Sequence, residues 1–170
     1  MIACAAGPAA DVGSLVRQAQ AEGWTVCVIA TPSATAFIDL RALEALTGHP
    51  VRAEYRTPGT EVPIPPATAM VVAPATFNTI NKWAAGVSDT LALGLINEAI
   101  GLGLPLVAMP FVNDALAAHP AFKRSIEQLR QAGVEVVFGP GEPHPAGAGG
   151  PFARAFAWHL ALSALRHRQD

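Results

Sequence analysis

Residues 73–99 read APATFNTINKWAAGVSDTLALGLINEA and overlap the end of an apolar run, TAMVVAPA, at residues 68–75. The apolar run predicts a buried strand of a parallel sheet, and such a strand is normally followed by a helix that packs one apolar face on the sheet. Here amides and hydroxyls are dense along the start of that helix, at Thr76, Asn78, Thr79 and Asn81. This density predicts a polar ligand beyond the carboxyl end of the strand.

The composition favours an α/β protein with a large core. Of the 170 residues, 51% are hydrophobic and 14% are charged. This is enough to form a single domain over residues 1–170, and it leaves apolar surface for contact with other subunits. Cys4 and Cys27 fall in predicted strands, and we expect them to be inert core residues.

Charge and hydropathy argue against several classes of function. The formal net charge is -2, and no cluster of Lys and Arg lies among aromatic residues, so a nucleic-acid partner is not expected. The apolar stretches are interrupted well short of the roughly 20 residues that a membrane helix needs. The N-terminal residues also lack the basic region of a signal peptide. We therefore expect a cytoplasmic protein with no membrane partner and no metal site.

Short apolar runs alternate with helical patterns along the chain. Strands are predicted at residues 2–5, 25–30, 51–55, 69–73, 106–109 and 135–138. The alternation predicts an α/β fold, a three-layer doubly wound parallel sheet. A stretch rich in Gly and Pro at residues 139–151 predicts a flexible loop before a last helix at residues 152–168. The first strand is short enough that we expect a few native residues to be missing ahead of it.

Three predicted strands end in similar polar segments, AAGPAAD at residues 5–11, ATPSATAF at residues 30–37 and APATFNT at residues 73–79. Ligands of open parallel sheets lie beyond the carboxyl ends of the strands, beside helix N-termini. We therefore expect one crevice that gathers Thr31, Ser33, Thr35, Thr76 and Asn78, with Gly7 allowing close backbone approach. The alternative is that these hydroxyls only cap helices. GxGxxG and GxxxxGK[ST] are both absent, which favours a ligand with one phosphate and a planar ring over a dinucleotide or a nucleoside triphosphate.

The segment PATFNTINKWAAGVSDTL resembles PASANTxxKIAxGxxDNLL, the signature of the homo-oligomeric flavin-containing cysteine decarboxylases. The resemblance extends from AAGPAA at residues 5–10 to QAGVEVV at residues 131–137. It implies a flavodoxin-like, Rossmann-like fold that binds FMN and forms trimers or larger assemblies of trimers, such as dodecamers. Residues that match the family's contacts to the FMN phosphate and ribityl chain are Gly7, Ser33, Thr76 and Asn78. The predicted cofactor site is completed by Pro8, Thr31, Phe37 and Ala75.

A second signature of that family, PxMNxxMW, corresponds here to PFVNDALA at residues 110–117. Its Asn holds the carboxylate of the substrate cysteine, so the resemblance implies that role for Asn113. The methionine positions are Val112 and Leu116, and the tryptophan position is Ala117. The alternative is that Asn113 is only a structural hydrogen-bonding residue.

The catalytic histidine of the family lies fourteen residues ahead of the Pro of PASANT, and here that position is Thr60. The next residue is Glu61, which could act as a base if burial raised its pKa. Thr60 and Glu61 are therefore the catalytic candidates at this position, together with Asn113. His144 and His159 are predicted to lie at the surface or at an interface.

Two functions follow from these observations. In the first, the protein is an FMN-dependent enzyme that oxidatively decarboxylates the C-terminal cysteine of a peptide or a related small thiol. In the second, it is a catalytically altered FMN-binding module that acts through a protein partner. Asn113 and the loop at residues 139–151 favour the first function, whereas the missing histidine and the altered PxMNxxMW favour the second.

Overall fold

In a computed structural model, which describes residues 1–57, 59 and 64–167, five short strands form one parallel sheet. They are β1 (Ile2–Ala3), β2 (Ile29–Ala30), β3 (Met70–Ala75), β4 (Leu106–Pro110) and β5 (Val134–Val136). The strand order is β2-β1-β3-β4-β5, and every pairing is parallel. This is the order of flavodoxin-like folds. The predicted α/β class is confirmed.

Helices cover both faces of the sheet and make the three predicted layers. Their bounds are α1 (Val12–Ala21), α2 (Leu40–Thr47), α3 (Phe77–Ala84), α4 (Leu91–Gly101), α5 (Asp114–Ala118), α6 (Pro120–Gln131), α7 (Gly149–Arg154) and α8 (His159–Arg166). One core cluster gathers apolar residues of α1, α2 and α8 under one face. The other gathers those of α3, α4 and α6 under the opposite face. Strands β1 to β4 are therefore buried on both sides, which explains their unbroken apolar sequences, whereas β5 carries the partly buried Glu135.

Helix α3 is anchored to its neighbours by Trp83, as its apolar positions predict. The Trp83 side chain is almost completely buried, and its Nε1–H donates to the carbonyl oxygen of Ile96 in α4 at 3.2 Å. On the other side of α3, the Ser125 hydroxyl of α6 donates to Oδ1 of Asn81 at 2.7 Å. These contacts hold the N-terminus of α3 in place at the carboxyl end of β3.

The predicted strand at residues 51–55 is wrong. Only Arg52 pairs there, in an isolated bridge to Ile29 at the outer edge of β2. Past this point the chain leaves the sheet, and the Tyr55 hydroxyl donates to the carbonyl oxygen of Thr90 at 3.1 Å. With β2 itself only two residues long, the edge offers too short a ladder for a sixth strand.

The predicted last helix is divided into α7 and α8, because residues 155–158 leave the helical conformation. Phe156 and Trp158 are buried there, with their ring centroids 4.7 Å apart. The first turn of α7 takes up residues 149–151, the end of the predicted loop. Within the described residues, no helix is both long and apolar enough to cross a membrane.

Candidate active site

The chain changes direction across the sheet between β1 and β3, because β1 leads to β2 on one side and β3 lies on the other. The loops after these strands therefore separate and leave a crevice at the carboxyl edge, the usual ligand position in doubly wound sheets. All three predicted polar segments begin at this edge. Two form 3-10 turns, at Gly7–Asp11 and Pro32–Ala36, and the third forms the N-terminus of α3. The Thr31 N–H donates to the carbonyl oxygen of Ala3 at 2.9 Å, which holds the start of the turn at Pro32–Ala36 against β1.

Thr76 caps helix α3, so the capping alternative holds for this hydroxyl. Its Oγ1 accepts the Thr79 N–H at 3.2 Å and lies 3.0 Å from the Thr79 hydroxyl. Asn78 occupies the second position of the helix and is exposed at the crevice side of the sheet. The first-turn N–H groups of a helix have no intrahelical acceptor, and they carry the positive end of the helix dipole. The start of α3 is therefore suited to an anion.

The two hydroxyl side chains of the turn at Pro32–Ala36, Ser33 and Thr35, have different roles. Thr35 Oγ1 donates to the carbonyl oxygen of Pro32 at 2.7 Å, so Thr35 is engaged within the turn. Ser33 is exposed, and Phe37 at the end of the turn is 46% exposed. An exposed hydroxyl and an exposed aromatic ring thus lie at the same edge of the sheet as the start of α3.

Gly7 is needed for packing within the chain. A Cβ atom on Gly7 would lie 2.9 Å from the Cβ of Ala153 in α7, closer than such atoms approach. Pro8 is buried beneath the turn, and Ala75 is fully buried at the end of β3. Ala75 contributes its backbone, since its carbonyl oxygen accepts the Phe111 N–H at 2.9 Å.

The predicted cofactor residues fit a flavin phosphate. Apart from the ring of Phe37, their exposed side chains carry hydrogen-bond donors, and the first turn of the helix adds N–H groups that have no intrahelical acceptor. The basic side chain next to them is engaged elsewhere, because Lys82 pairs with Asp89. This pair also gives Asp89, which matches the Asp of the family signature, a structural role.

Asn113 lies across the edge, at the end of β4, and caps helix α5. Its Oδ1 accepts the Leu116 N–H at 2.8 Å. This orients the amide so that its Nδ2 donors face away from the helix, and none of the described residues accepts from Nδ2. The side chain therefore combines a structural cap with free donors for a carboxylate.

The histidines differ from expectation at one position. His159 is exposed, as predicted, and His119 caps α6 by accepting the Ala121 N–H on Nδ1 at 3.1 Å. His144, predicted at the surface or an interface, is only 7% exposed, so that prediction is wrong. Thr60 and Glu61 lie outside the described residues and stay predictions.

His144 is buried because the predicted loop runs beside Asn113. The His144 N–H donates to the carbonyl oxygen of Val112 at 3.2 Å, and the Asp114 N–H donates to the carbonyl oxygen of His144 at 2.8 Å. Together these bonds form a parallel bridge between Asn113 and His144. No periodic pattern marks such a long-range pairing, and the flanking prolines of the PHP sequence indicated only a loop.

Burial shifts the pKa of two groups near this edge. Burial raises the pKa of the Cys4 thiol, although the Thr79 hydroxyl opposes this. Cys4 and Cys27 are both free; Cys4 is buried, as predicted, whereas Cys27 is only partly buried. Burial also raises the pKa of the Glu142 carboxyl, and the charge of His144 and the Val112 N–H act in the opposite direction.

A cavity of about 260 Å³ lies elsewhere, between α1 and α2. Asp11, Arg17 and Asp39 are its polar lining residues. None of the predicted cofactor residues lines it. The part of the chain that the structure describes contains no group of three or more metal-ligating side chains.

Comparison with known proteins places the chain in a family. The family model described as Flavoprotein matches residues 1–151. Curated relatives include the coenzyme A biosynthesis bifunctional protein CoaBC of Thermococcus kodakarensis, 31% identical over 134 residues that make up 76% of this chain and 33% of the relative. The same protein of Mycolicibacterium smegmatis is 31% identical over 73% of this chain and 30% of its own length. The chain thus spans about a third of the length of these relatives.

Solved structures have the same fold. The FMN-dependent cysteine decarboxylase SpaF superposes with a TM-score of 0.71 at 24% identity, over 96% of this chain and 94% of its own. The epidermin biosynthesis protein EpiD from Staphylococcus aureus gives a TM-score of 0.67 at 22% identity, over 80% of this chain and 79% of its own. At these identities the likeness shows the flavodoxin-like, Rossmann-like architecture.

Proposed function

The chain belongs to the Flavoprotein family, and from that premise we propose that it binds FMN and oxidatively decarboxylates the C-terminal cysteine of a peptide or a related small thiol. The observation that supports this most is one hydrogen bond at the carboxyl edge. The Phe111 N–H donates to the carbonyl oxygen of Ala75 at 2.9 Å. It joins the loop before α3 to the loop that carries Asn113, so a site for the phosphate and a site for a carboxylate adjoin.

The residues after β1, β2 and β3 bind and orient the cofactor in this proposal. The start of α3, with Asn78, and the exposed Ser33 hydroxyl surround the phosphate, while Phe37 borders the ring. Bound FMN supplies a two-electron oxidant. Gly7 and Pro8 shape the turn beside the cofactor, and Thr31, Ala75 and Thr76 hold the backbone of the site in place.

Asn113 binds the substrate carboxylate through Nδ2 while Oδ1 remains on the Leu116 N–H. An uncharged amide can hold a carboxylate without neutralising it, so the negative charge is retained until CO2 leaves. Glu61 remains a candidate for the base. The loop at residues 139–151 lies against Asn113 and would cover the substrate.

The second function, an FMN-binding module that acts through a protein partner, is favoured by apolar side chains at the same edge. Phe37 is 46% exposed and Leu116 is 39% exposed. Leu116 replaces a methionine of the family signature, and its neighbour Ala117 replaces the tryptophan. An edge that has lost these side chains could still bind FMN and present apolar surface to another protein.

We also propose that the chain is a cytoplasmic homo-oligomer, a trimer or an assembly of trimers, in which residues 1–170 form one domain. Val87 and Leu102 add to the exposed apolar surface. Helix α4 contributes little to this surface, because five of its residues, Leu91, Ala92, Leu93, Ile96 and Ala99, are already buried within one chain. Light scattering at micromolar concentration would show a single species larger than the monomer.

Mass spectrometry of a peptide substrate tests the proposed enzyme. FMN-loaded protein is incubated with a peptide that ends in cysteine and with the same peptide ending in serine. We expect the cysteine peptide alone to lose CO2 and two hydrogens. If the flavin is bound and neither peptide changes, the enzyme proposal is overturned and the binding-module function replaces it.

A further inference from the structure

The side chain of His144 lies inside an aromatic cluster at the active-site edge. Its ring centroid is 4.6 Å from that of Phe111 and 5.8 Å from that of Phe152 in α7. Phe111 in turn lies 3.7 Å from the position that a Cβ on Gly7 would take. The imidazole is therefore close to the turn after β1, and its backbone pairs with Asn113.

The hydrogen bond at Nδ1 decides which ring nitrogen can accept a proton. Nδ1 lies 3.0 Å from the carbonyl oxygen of Pro145. A carbonyl oxygen only accepts, so Nδ1 carries the hydrogen, and in the neutral ring Nε2 keeps its lone pair. Among the described residues, none hydrogen-bonds Nε2.

Gly149 keeps the space beside this nitrogen open. A Cβ on Gly149 would lie 3.3 Å from Cε1 and 3.6 Å from Nε2 of His144. Gly149 has no positive φ that would require glycine. Gly150, the next residue in the first turn of α7, has open space at the same position. The two glycines therefore form a matched pair for experiments.

Glu142, two residues before His144, supplies a carboxyl group near the imidazole. Its Oε2 is buried and has no hydrogen-bond partner among the residues that the structure describes. The carboxylate is also near enough to His144 for the charge of the imidazole to act on it. A proton arriving at Nε2 would place a positive charge beside this buried carboxylate, which would stabilise both groups.

We propose that His144, supported by Glu142, is the general base that takes the thiol proton of the substrate, the role left open by Thr60. This inference rests on the proposed function. In the step, the S–H bond breaks, its electron pair stays on sulfur, and a new N–H bond forms at Nε2. The products are a thiolate and an imidazolium, and the carboxylate of Glu142 balances the new positive charge. Oxidation and loss of CO2 follow from the thiolate.

The competing explanation is that His144 only fills the aromatic cluster. His144→Phe keeps a ring in the cluster and removes the base, so it separates the two explanations. The other charged groups near the segment are Asp114, whose Oδ1 accepts the Ala146 N–H at 3.1 Å, and the exposed Arg154 of α7. Neither one replaces a missing base at Nε2, since Asp114 is engaged in the loop and Arg154 stays protonated.

The experiment compares decarboxylation rates of FMN-loaded variants on a cysteine-ended peptide. H144F is expected to lower kcat by about 10²–10⁴-fold with FMN binding retained. E142Q should lower it less, and G149A should lower it more than G150A does, because only a Cβ on Gly149 would contact the imidazole. Imidazole added to His144→Ala should restore turnover, whereas pyrazole, which has the same shape and is a much weaker base, should not.

A measurement independent of turnover tests the pairing. Carbon NMR of the Glu142 carboxyl in H144F should show its pKa raised further, because the charge that lowers it is gone. If the wild-type protein turns over and H144F turns over equally fast, or pyrazole rescues as well as imidazole, this inference is overturned and the proposed function stands. If the wild type binds FMN and does not turn over, the proposed function fails, and the role of His144 fails with it.

Discussion

The segments after β3 and after β4 meet at one edge of the sheet but differ in how they relate to the family signature. After β3, the chain keeps the pattern of polar residues, and the structure uses them at a helix N-terminus anchored by Trp83. After β4, Asn113 is retained while the two methionines and the tryptophan are replaced. There the structure adds a residue from a distant loop, His144, in a backbone bridge to Asn113.

The difference shows which part of such a site can change. A phosphate presents the same oxygens whatever reaction the enzyme performs, so the residues around it are constrained by one fixed ligand. A substrate pocket must fit a particular side chain and its protons, and it can be rebuilt from loops. On our account the first segment holds the cofactor and the second binds the substrate.

The largest effect is expected from removing the anchor of the first segment. Trp83→Ala should lower the free energy of unfolding by about 3–5 kcal/mol, because it leaves a cavity between α3 and α4. Leu116→Ala, in the second segment, should cost much less, since Leu116 is 39% exposed. Denaturant unfolding of both variants measures this contrast. Equal losses would show that the two segments are anchored alike.

Asn78→Asp separates cofactor binding from stability. An acidic residue in the first turn of α3 favours the helix dipole, so stability should stay the same or rise by about 0.5 kcal/mol. The same charge repels a phosphate, so FMN affinity should fall about 10–100-fold, as expected for losing a charge-assisted hydrogen bond. Flavin fluorescence titration measures the affinity, with Asn78→Ser as the uncharged control. Unchanged affinity in N78D would remove α3 from the phosphate site.

Asn113→Asp makes the corresponding change in the second segment. The carboxylate can still accept the Leu116 N–H, so the cap of α5 and the stability should be retained. The added charge faces the substrate carboxylate, so KM for a cysteine-ended peptide should rise about tenfold or more while FMN affinity is unchanged. Loss of FMN in N113D would show that the two segments do not divide the ligands as we propose.

Glu142→Gln should change how stability depends on pH. The pKa of Glu142 is raised above its ordinary value of 4.5, so the folded protein binds this proton more tightly than the unfolded chain does. That contribution to stability is present below pH 4.5 and is lost as the pH rises through the folded pKa. The free energy of unfolding of E142Q minus that of wild type should therefore be larger at neutral pH than at pH 4.

Thermal unfolding at both pH values checks this, with Glu98→Gln on the exposed side of α4 as the control. If the stability of E142Q relative to wild type is the same at both pH values, burial of Glu142 does not matter to stability. The expected result pairs a gain in stability with the loss of activity described above for the same variant.

Local patterns predicted the layers, the buried strands and the helix that carries Thr76 and Asn78, because each depends on short-range periodicity. Local patterns failed where contacts between residues far apart in the sequence determine the structure. The edge at Arg52 is too short to form a strand, which depends on the length of its partner β2. The burial of His144 depends on its backbone bridge to Asn113, which is 31 positions earlier in the chain (144 minus 113). No local pattern encodes such a pairing.

The most direct test of the account is an experimental structure of the protein loaded with FMN. We predict that the phosphate lies at the N-terminus of α3, with oxygens about 3 Å from the first-turn N–H groups and from the side chains of Asn78 or Ser33. The ring should then lie beside Phe37. A phosphate found instead in the cavity beside Arg17 would contradict the assignment of both segments.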